Sequence, residues 1–264
     1  MIIEEIESLT STDTLEHRDI NYNKHQQLDL FLPTRKNDQP VAAALLMHGG
    51  GWSSGQRQNM EGMARWLAHH GVLVANISYS LAPEHKWPTQ MIDAAQAVWW
   101  LKKNAEHLNI DSQKIVAIGV SAGGHLAAML GQMNFTDVYS GEDSSVAALI
   151  SIWGPWNLMI TQTEQQNNAV KTLLRRDNEK NRAEASPLFR IRRSSAPALL
   201  IYGELDDQVP FDQAEKVLSS YHDLADAECT LVSFPELGHE WPEDDERMFA
   251  PIKAFLQRQS MMAD

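Results

Sequence analysis

The sequence holds a single cysteine, Cys229, in 264 residues. One cysteine forms no internal disulfide, so the fold must rest on its core, and Cys229 reads as a small buried apolar residue of a strand. Long hydrophobic runs are also missing: none approaches the roughly 20 residues that span a bilayer. Basic residues are scarce beside acidic ones, 22 Lys and Arg against 35 Asp and Glu, for a formal net charge of −13. That balance argues against nucleic acid or an anionic membrane surface as a partner. Met1 to Ser8 carries Glu4, Glu5 and Glu7 but no base, unlike the charged start of a secretory signal, so a cytoplasmic location is expected. No Cys/His cluster has metal-ligand spacing, and no Lys-Ser/Thr follows the glycine runs as a phosphate loop would need. No metal and no organic cofactor is therefore expected. Nor is there a repeat, a low-complexity tract or a linker. One domain over residues 1–264 is expected, long enough to bury a large core.

What is present alternates. Glu16 to Tyr22 and Gln27 to Leu32 read as two early strands forming an antiparallel edge. Val41 to Met47, Val72 to Tyr79, Lys114 to Ile118, Val146 to Trp153, Ala198 to Tyr202 and Thr230 to Phe234 read as later strands. Several of these are continuous apolar runs, as in strands buried on both faces. Met60 to His70, Thr89 to Leu108, His125 to Leu130, Pro210 to Leu224 and Asp244 to Gln259 read as helices between and after them. Strands alternating with helices imply an α/β fold with a mostly parallel, doubly wound sheet. Asn157 to Arg193 breaks the rhythm. It holds no clear strand and is too long for an ordinary connection, so residues 157–193 read as a small helical insertion over the site.

The chemistry begins at Ser121. An apolar strand runs into Gly119-Val120-Ser121-Ala122-Gly123 and a helix follows. Strand, sharp turn and helix with a serine at the apex push the hydroxyl out where a base can reach it, and flanking glycines let strand and helix pack closely. A second motif, His48-Gly49-Gly50-Gly51-Trp52, directly follows the strand Val41 to Met47. A serine attacking a carbonyl creates an oxyanion, and glycine-rich backbone can aim several N–H groups at it. Each such donor is worth about 2.7–4 kcal/mol to the transition state.

Such a serine needs a base, and the base needs a carboxylate. Downstream stand His125, His222 and His239. His125 lies one turn into the serine's helix and reads as a rim or packing residue; His222 reads as a solvated helix residue. His239 lies on a loop beyond the carboxyl end of a strand, where catalytic groups gather in such sheets, and is preferred. Glu204, Asp206 and Asp207 compete as the acid after the strand Ala198 to Tyr202. Asp206 is favoured in the loop leaving the strand, Asp207 reads as a cap for the helix near Pro210, and Glu204 as solvated.

These residues resemble, in order, the motifs of the hormone-sensitive-lipase-like carboxylesterases of the α/β-hydrolase fold, especially the compact bacterial branch labelled feruloyl-esterase-like. The resemblance rests on His48-Gly-Gly-Gly-Trp52, Tyr79-Ser-Leu-Ala-Pro-Glu-His85, Gly119-Val-Ser-Ala-Gly-Gly-His-Leu-Ala-Ala128, Gly203-Glu-Leu-Asp206 with Val209-Pro210, and Gly238-His239. It implies Ser121 as nucleophile, His239 as base and Asp206 as acid. It also implies the backbone N–H groups of Gly50, Gly51 and Ala122 as the oxyanion hole. Glu84, His85 and Asp93 are assigned structural roles, and Glu240, beside the base, a solvated one. The segment before Glu16 is short, so the cap of many relatives is reduced and 157–193 becomes the main cover.

The expected activity is hydrolysis of short-to-medium acyl or aryl esters through an acyl-enzyme, with a small-molecule ester as the partner. An amidase of the kynurenine formamidase type would use the same triad, and a non-catalytic binder would lack the base. Trp52, Trp153 and Trp156 fall at strand ends on the site side and read equally as core or as aromatic pocket walls. The sequence leaves monomer and homodimer both open.

Overall fold

The structure, a computed structural model, describes residues 15–34, 39–132, 143–240 and 246–263. The segment Met1 to Ser8 and the start of the expected helix at Asp244 lie outside the described residues. Among the described residues, eight strands make one sheet: β1 (Glu16–Asn21), β2 (Gln27–Phe31), β3 (Val41–Met47), β4 (Leu73–Ile77), β5 (Ile110–Val120), β6 (Ala148–Ile152), β7 (Ala198–Gly203) and β8 (Cys229–Phe234). Their spatial order is β1-β2-β4-β3-β5-β6-β7-β8. β2 runs antiparallel to both β1 and β4, and the other neighbours pair parallel. The sheet thus has an antiparallel end at β1 and a parallel edge at β8.

Alternation along each strand divides the core. Ala43, Leu45 and Met47 face the helices Thr89–Lys103 and Ala122–Gln132. Ala42, Ala44 and Leu46, with Val116 and Ile118, face the helices Glu61–His69 and Glu246–Arg258. A sheet covered on both faces needs apolar residues at successive positions, which is why β3, β6 and β7 carry almost no polar side chain. Each fully buried Leu, Ile or Val contributes about 1.5–3 kcal/mol.

Several element bounds differ from the sequence reading, among them the helix after the serine, Ala122–Gln132 where His125 to Leu130 was expected, and two of the differences have a visible cause. The helix expected over Thr89 to Leu108 stops at Lys103, and a separate turn, Ala105–Leu108, follows. Asn104 sits at the break, where its side-chain nitrogen donates to Trp100 O at 2.7 Å and competes with the helical ladder. β5 begins earlier than Lys114, because Ile110 pairs with Val41 before a register irregularity and regular pairing from Ala43 opposite Ile115.

Residues 157–193 hold the helices Glu164–Leu173 and Glu179–Glu184 and a 3-10 turn, Pro187–Arg190. Thr163 and Gln166 form a reciprocal capping box at the first helix, and the Asn178 side chain caps the second. Leu158, Val170, Leu173, Leu174 and Ala185 pack on Trp52 and Ala122, which follow β3 and β5. The segment therefore lies on the carboxyl ends of the central strands. Among the described residues, no helix is long and apolar enough to cross a membrane.

Candidate active site

Ser121 follows β5 with φ of 53°, a left-handed conformation that a non-glycine residue adopts only when its surroundings impose it. The surroundings are visible. Its N–H donates to Ile152 O of β6 at 2.7 Å, and its carbonyl accepts from His125 N at 3.0 Å. The glycines beside it are required by contact. A Cβ on Gly119 would stand 2.2 Å from the Gly123 backbone, and one on Gly123 would stand 2.1 Å from Met47 O. Gly123→Ala is therefore expected to lower the unfolding free energy by about 1–3 kcal/mol or more, read as a lower urea midpoint. Gly62, inside a helix with nothing within 4 Å of an added Cβ, is the control. Gly62→Ala should raise the midpoint by a gain of about 0.8–1 kcal/mol.

The structure brings Ser121, His239 and Asp206 together across 118 and 33 residues of chain. His239 Nε2 lies 2.9 Å from Ser121 Oγ, and His239 Nδ1 lies 2.7 Å from Asp206 Oδ2. A carboxylate only accepts, so Nδ1 carries the proton and Nε2 is the acceptor for the serine hydroxyl. The other carboxylate oxygen of Asp206 accepts from Gln208 N at 2.7 Å and Val209 N at 2.8 Å. These bonds fix the buried carboxylate in the loop. Asp207 is exposed, and it is not a helix cap: that helix begins at Asp212 with Phe211 as its N-cap residue. Asp206 itself ties down the turn, which is why Asp207 is left with no capping role. Glu204 is exposed and accepts from Ser233 Oγ, and Glu240 is exposed.

The glycine loop has an unusual backbone. Gly50, Gly51 and Trp52 have φ of 117°, 58° and 60°. Gly49 O takes the His48 Nδ1–H at 2.7 Å, while Gly50 O takes Ser53 N, Ser54 N and Ser54 Oγ. In a trans peptide the N–H points opposite to its carbonyl. The N–H groups of Gly50 and Gly51 therefore point away from His48 and from Ser53 and Ser54. Ala122 opens the helix after the serine, where backbone N–H groups have no intrahelical partner. His48 lies beneath this loop, stacked on Tyr79 at 4.3 Å, and burial holds its pKa below the usual value, so it is neutral.

One cavity of about 630 Å³ opens over these groups, lined by Gly50, Gly51, Trp52, Ser121, Ala122 and His239. Leu158, Ile160, Val170 and Val209 form apolar wall, and Asn157, Gln165, Gln166, Asn168, Gln208 and Gln213 add side-chain amides. The sequence reading missed these amides. Thr163-x-x-Gln166, a capping-box spacing, was the signal for the helix that carries three of them. Of the three tryptophans, only Trp52 lines the cavity. Trp156 is fully buried in the cluster under the helix Asp212–Leu224, with its indole N–H on Ser151 Oγ at 3.2 Å. Trp153 packs into the opposite core layer, its ring 6.4 Å from that of His239. Both are core residues because the chain after β6 turns back into the fold. Glu84 and His85 are exposed, and Asp93 is buried, accepting from Ser80 N and Asn23.

His125 is not at the rim. It is wholly buried, with Nδ1 3.2 Å from the Trp52 indole nitrogen and Nε2 2.7 Å from Ala185 O. His222 is exposed beside Asp223.

A family profile described as BD-FAE matches residues 28–221. Esterase LipC of Mycobacterium tuberculosis is 29% identical over 229 residues, which cover 81% of this chain and 56% of LipC. Ethyl acetate hydrolase of Pseudomonas putida is 28% identical over 253 residues, covering 86% of this chain and 77% of that protein. The chain spans about half the length of the first curated relatives, 56% of LipC and 47% of esterase LipQ. Among solved structures, esterase 2 of Thermogutta terrifontis phosphonylated by sarin superposes with a TM-score of 0.84 at 21% identity, covering 95% of this chain and 98% of that one. At that identity the likeness carries the fold alone.

Proposed function

The chain belongs to the BD-FAE family of hormone-sensitive-lipase-like esterases with the α/β-hydrolase fold, and on that premise we propose that it is a serine carboxylesterase for short-to-medium acyl or aryl esters. The observation that carries the reading is the unbroken hydrogen-bonded chain Asp206–His239–Ser121, ending in a cavity whose floor is the glycine loop.

In this mechanism Ser121 Oγ attacks the ester carbonyl carbon while His239 Nε2 takes the hydroxyl proton. Asp206 holds the Nδ1–H and stabilises the imidazolium. The N–H groups of Gly50, Gly51 and Ala122 meet the oxyanion; being fixed before substrate arrives, they need no reorganisation during the step. His239 then gives its proton to the leaving alkoxide. A water deprotonated by His239 attacks the acyl-enzyme, releases the acid and restores Ser121. The segment 157–193 serves as a small cap within a single domain, its helix Glu164–Leu173 forming one cavity wall.

The test is covalent labelling by a fluorophosphonate together with hydrolysis of p-nitrophenyl esters of increasing acyl length, methyl ferulate and ethyl acetate. Ethyl acetate is included because it names the substrate of the Pseudomonas putida relative. An adduct on Ser121 and turnover of the shorter esters are expected. No adduct and no turnover would sink the reading, and preference for N-formylkynurenine over p-nitrophenyl acetate would convert it to an amidase.

A further inference from the structure

Nothing in the proposed mechanism uses His125, yet both of its ring nitrogens are engaged. Nε2 faces a backbone carbonyl, Ala185 O, which only accepts; Nδ1 faces the Trp52 indole, which only donates. A single protonation state satisfies both contacts, the neutral ring with its proton on Nε2. Burial keeps the ring in that state, with the pKa pushed down to about 4.

The two partners belong to different parts of the site. Trp52 ends the run of three left-handed residues Gly50, Gly51 and Trp52, and it is the one member with a side chain. Such a conformation costs roughly 1–3 kcal/mol and persists where bonds from outside hold it. Trp52 has two such bonds: its carbonyl accepts from Ala82 N at 2.8 Å, and its indole donates to His125. Ala185 ends the second helix of the 157–193 segment, and the next residue, Ser186, takes the N–H of cavity-lining Leu158 on its hydroxyl at 2.9 Å. The imidazole therefore stands between the glycine loop and the cap, on the first turn after the serine.

We propose that His125 is a positioning residue that sets the Gly50 and Gly51 amides by holding the Trp52 indole against the cap backbone at Ala185. The inference rests on the esterase reading, because those amides matter only if an oxyanion forms. The position of the donors is thereby tied to the position of the cap, although Ala185 does not line the cavity.

Two substitutions separate the two bonds. His125→Gln keeps a donor near the Nε2 position for Ala185 and removes the acceptor for Trp52. His125→Asn keeps an acceptor near the Nδ1 position and gives up the bond to Ala185. With p-nitrophenyl butyrate, His125→Gln should lower kcat about tenfold with KM nearly unchanged, because small displacements of positioned groups are felt in the transition state. His125→Asn, which gives up the anchor at Ala185, should lower kcat as well, and full kcat in it would overturn the tie between the donors and the cap. Inhibition by phenylboronic acid, which forms a tetrahedral adduct on the serine, should weaken in His125→Gln by the same factor as kcat/KM. Trp52→Phe should reproduce the loss, and the double variant with His125→Gln should lose no more than either single change. Unchanged kcat in His125→Gln, a loss confined to KM, or additive losses would overturn the inference while leaving the esterase reading intact. If His125→Gln does not fold, full kcat in Trp52→Phe overturns it alone. A wild-type protein that turns over no ester fails at the esterase reading and takes this inference with it.

Discussion

Ser121→Ala is expected to abolish ester hydrolysis, lowering kcat by about 10⁵ to 10⁶, and to remove the fluorophosphonate adduct. The size follows from the hydroxyl's place at the end of the chain Asp206–His239–Ser121. Without the oxygen there is no acyl-enzyme, and the remaining rate comes from water held over the glycine loop. Fold should not change. Ala fits the same left-handed position as Ser, and the backbone bonds to Ile152 and His125 do not involve the hydroxyl. Single-turnover assays with p-nitrophenyl acetate and intact-mass measurement check this. A variant that keeps more than a trace of turnover would mean that the nucleophile is elsewhere.

Asp206→Asn should lower kcat by about 10⁴. The asparagine keeps the acceptor for Gln208 N and Val209 N, so the loop retains its shape. Its amide nitrogen then faces His239 Nδ1 and donates, which moves the imidazole proton to Nε2. A ring protonated there cannot accept the serine hydroxyl. The loss is thus one of tautomer rather than of packing, and the melting temperature should shift little. Asp207→Asn should leave kcat within a factor of about two, as expected for an exposed side chain away from the chemistry. Survival of activity in Asp206→Asn but not in Asp207→Asn would reverse the assignment of the acid.

The strands and the serine turn were legible in the sequence because the physics that forms them is local. A strand buried on both faces must be continuously apolar, and a left-handed serine between a strand and a helix needs small neighbours on both sides. Val41 to Met47 and Gly119 to Gly123 meet those demands within a few residues. The convergence of Asp206 and His239, on the loops after β7 and β8, with Ser121 was legible from their places at strand ends. Features that depend on partners far along the chain were not. Nothing near His125 announces an indole 73 residues upstream or a carbonyl 60 residues downstream. The position of Trp156 was equally hidden, because a tryptophan after a strand end serves core and pocket alike until the following backbone turns. The helix break at Asn104 escaped a periodicity reading because Ala105 and Leu108 continue the apolar spacing through it.

The spatial order of the strands distributes the proposed machinery unevenly. Ser121 and the glycine loop leave β5 and β3, which lie side by side in the middle of the sheet; His239 follows β8, which among the described residues has β7 as its one neighbour and is half-exposed along most of its length. Edge strands open locally at a free-energy cost below that of whole-molecule unfolding. Fraying of β8 would carry the base away from a serine whose strained turn and oxyanion donors stay assembled. Heat would then disarm this protein before it melts it, and cooling would re-arm it by re-zipping one strand.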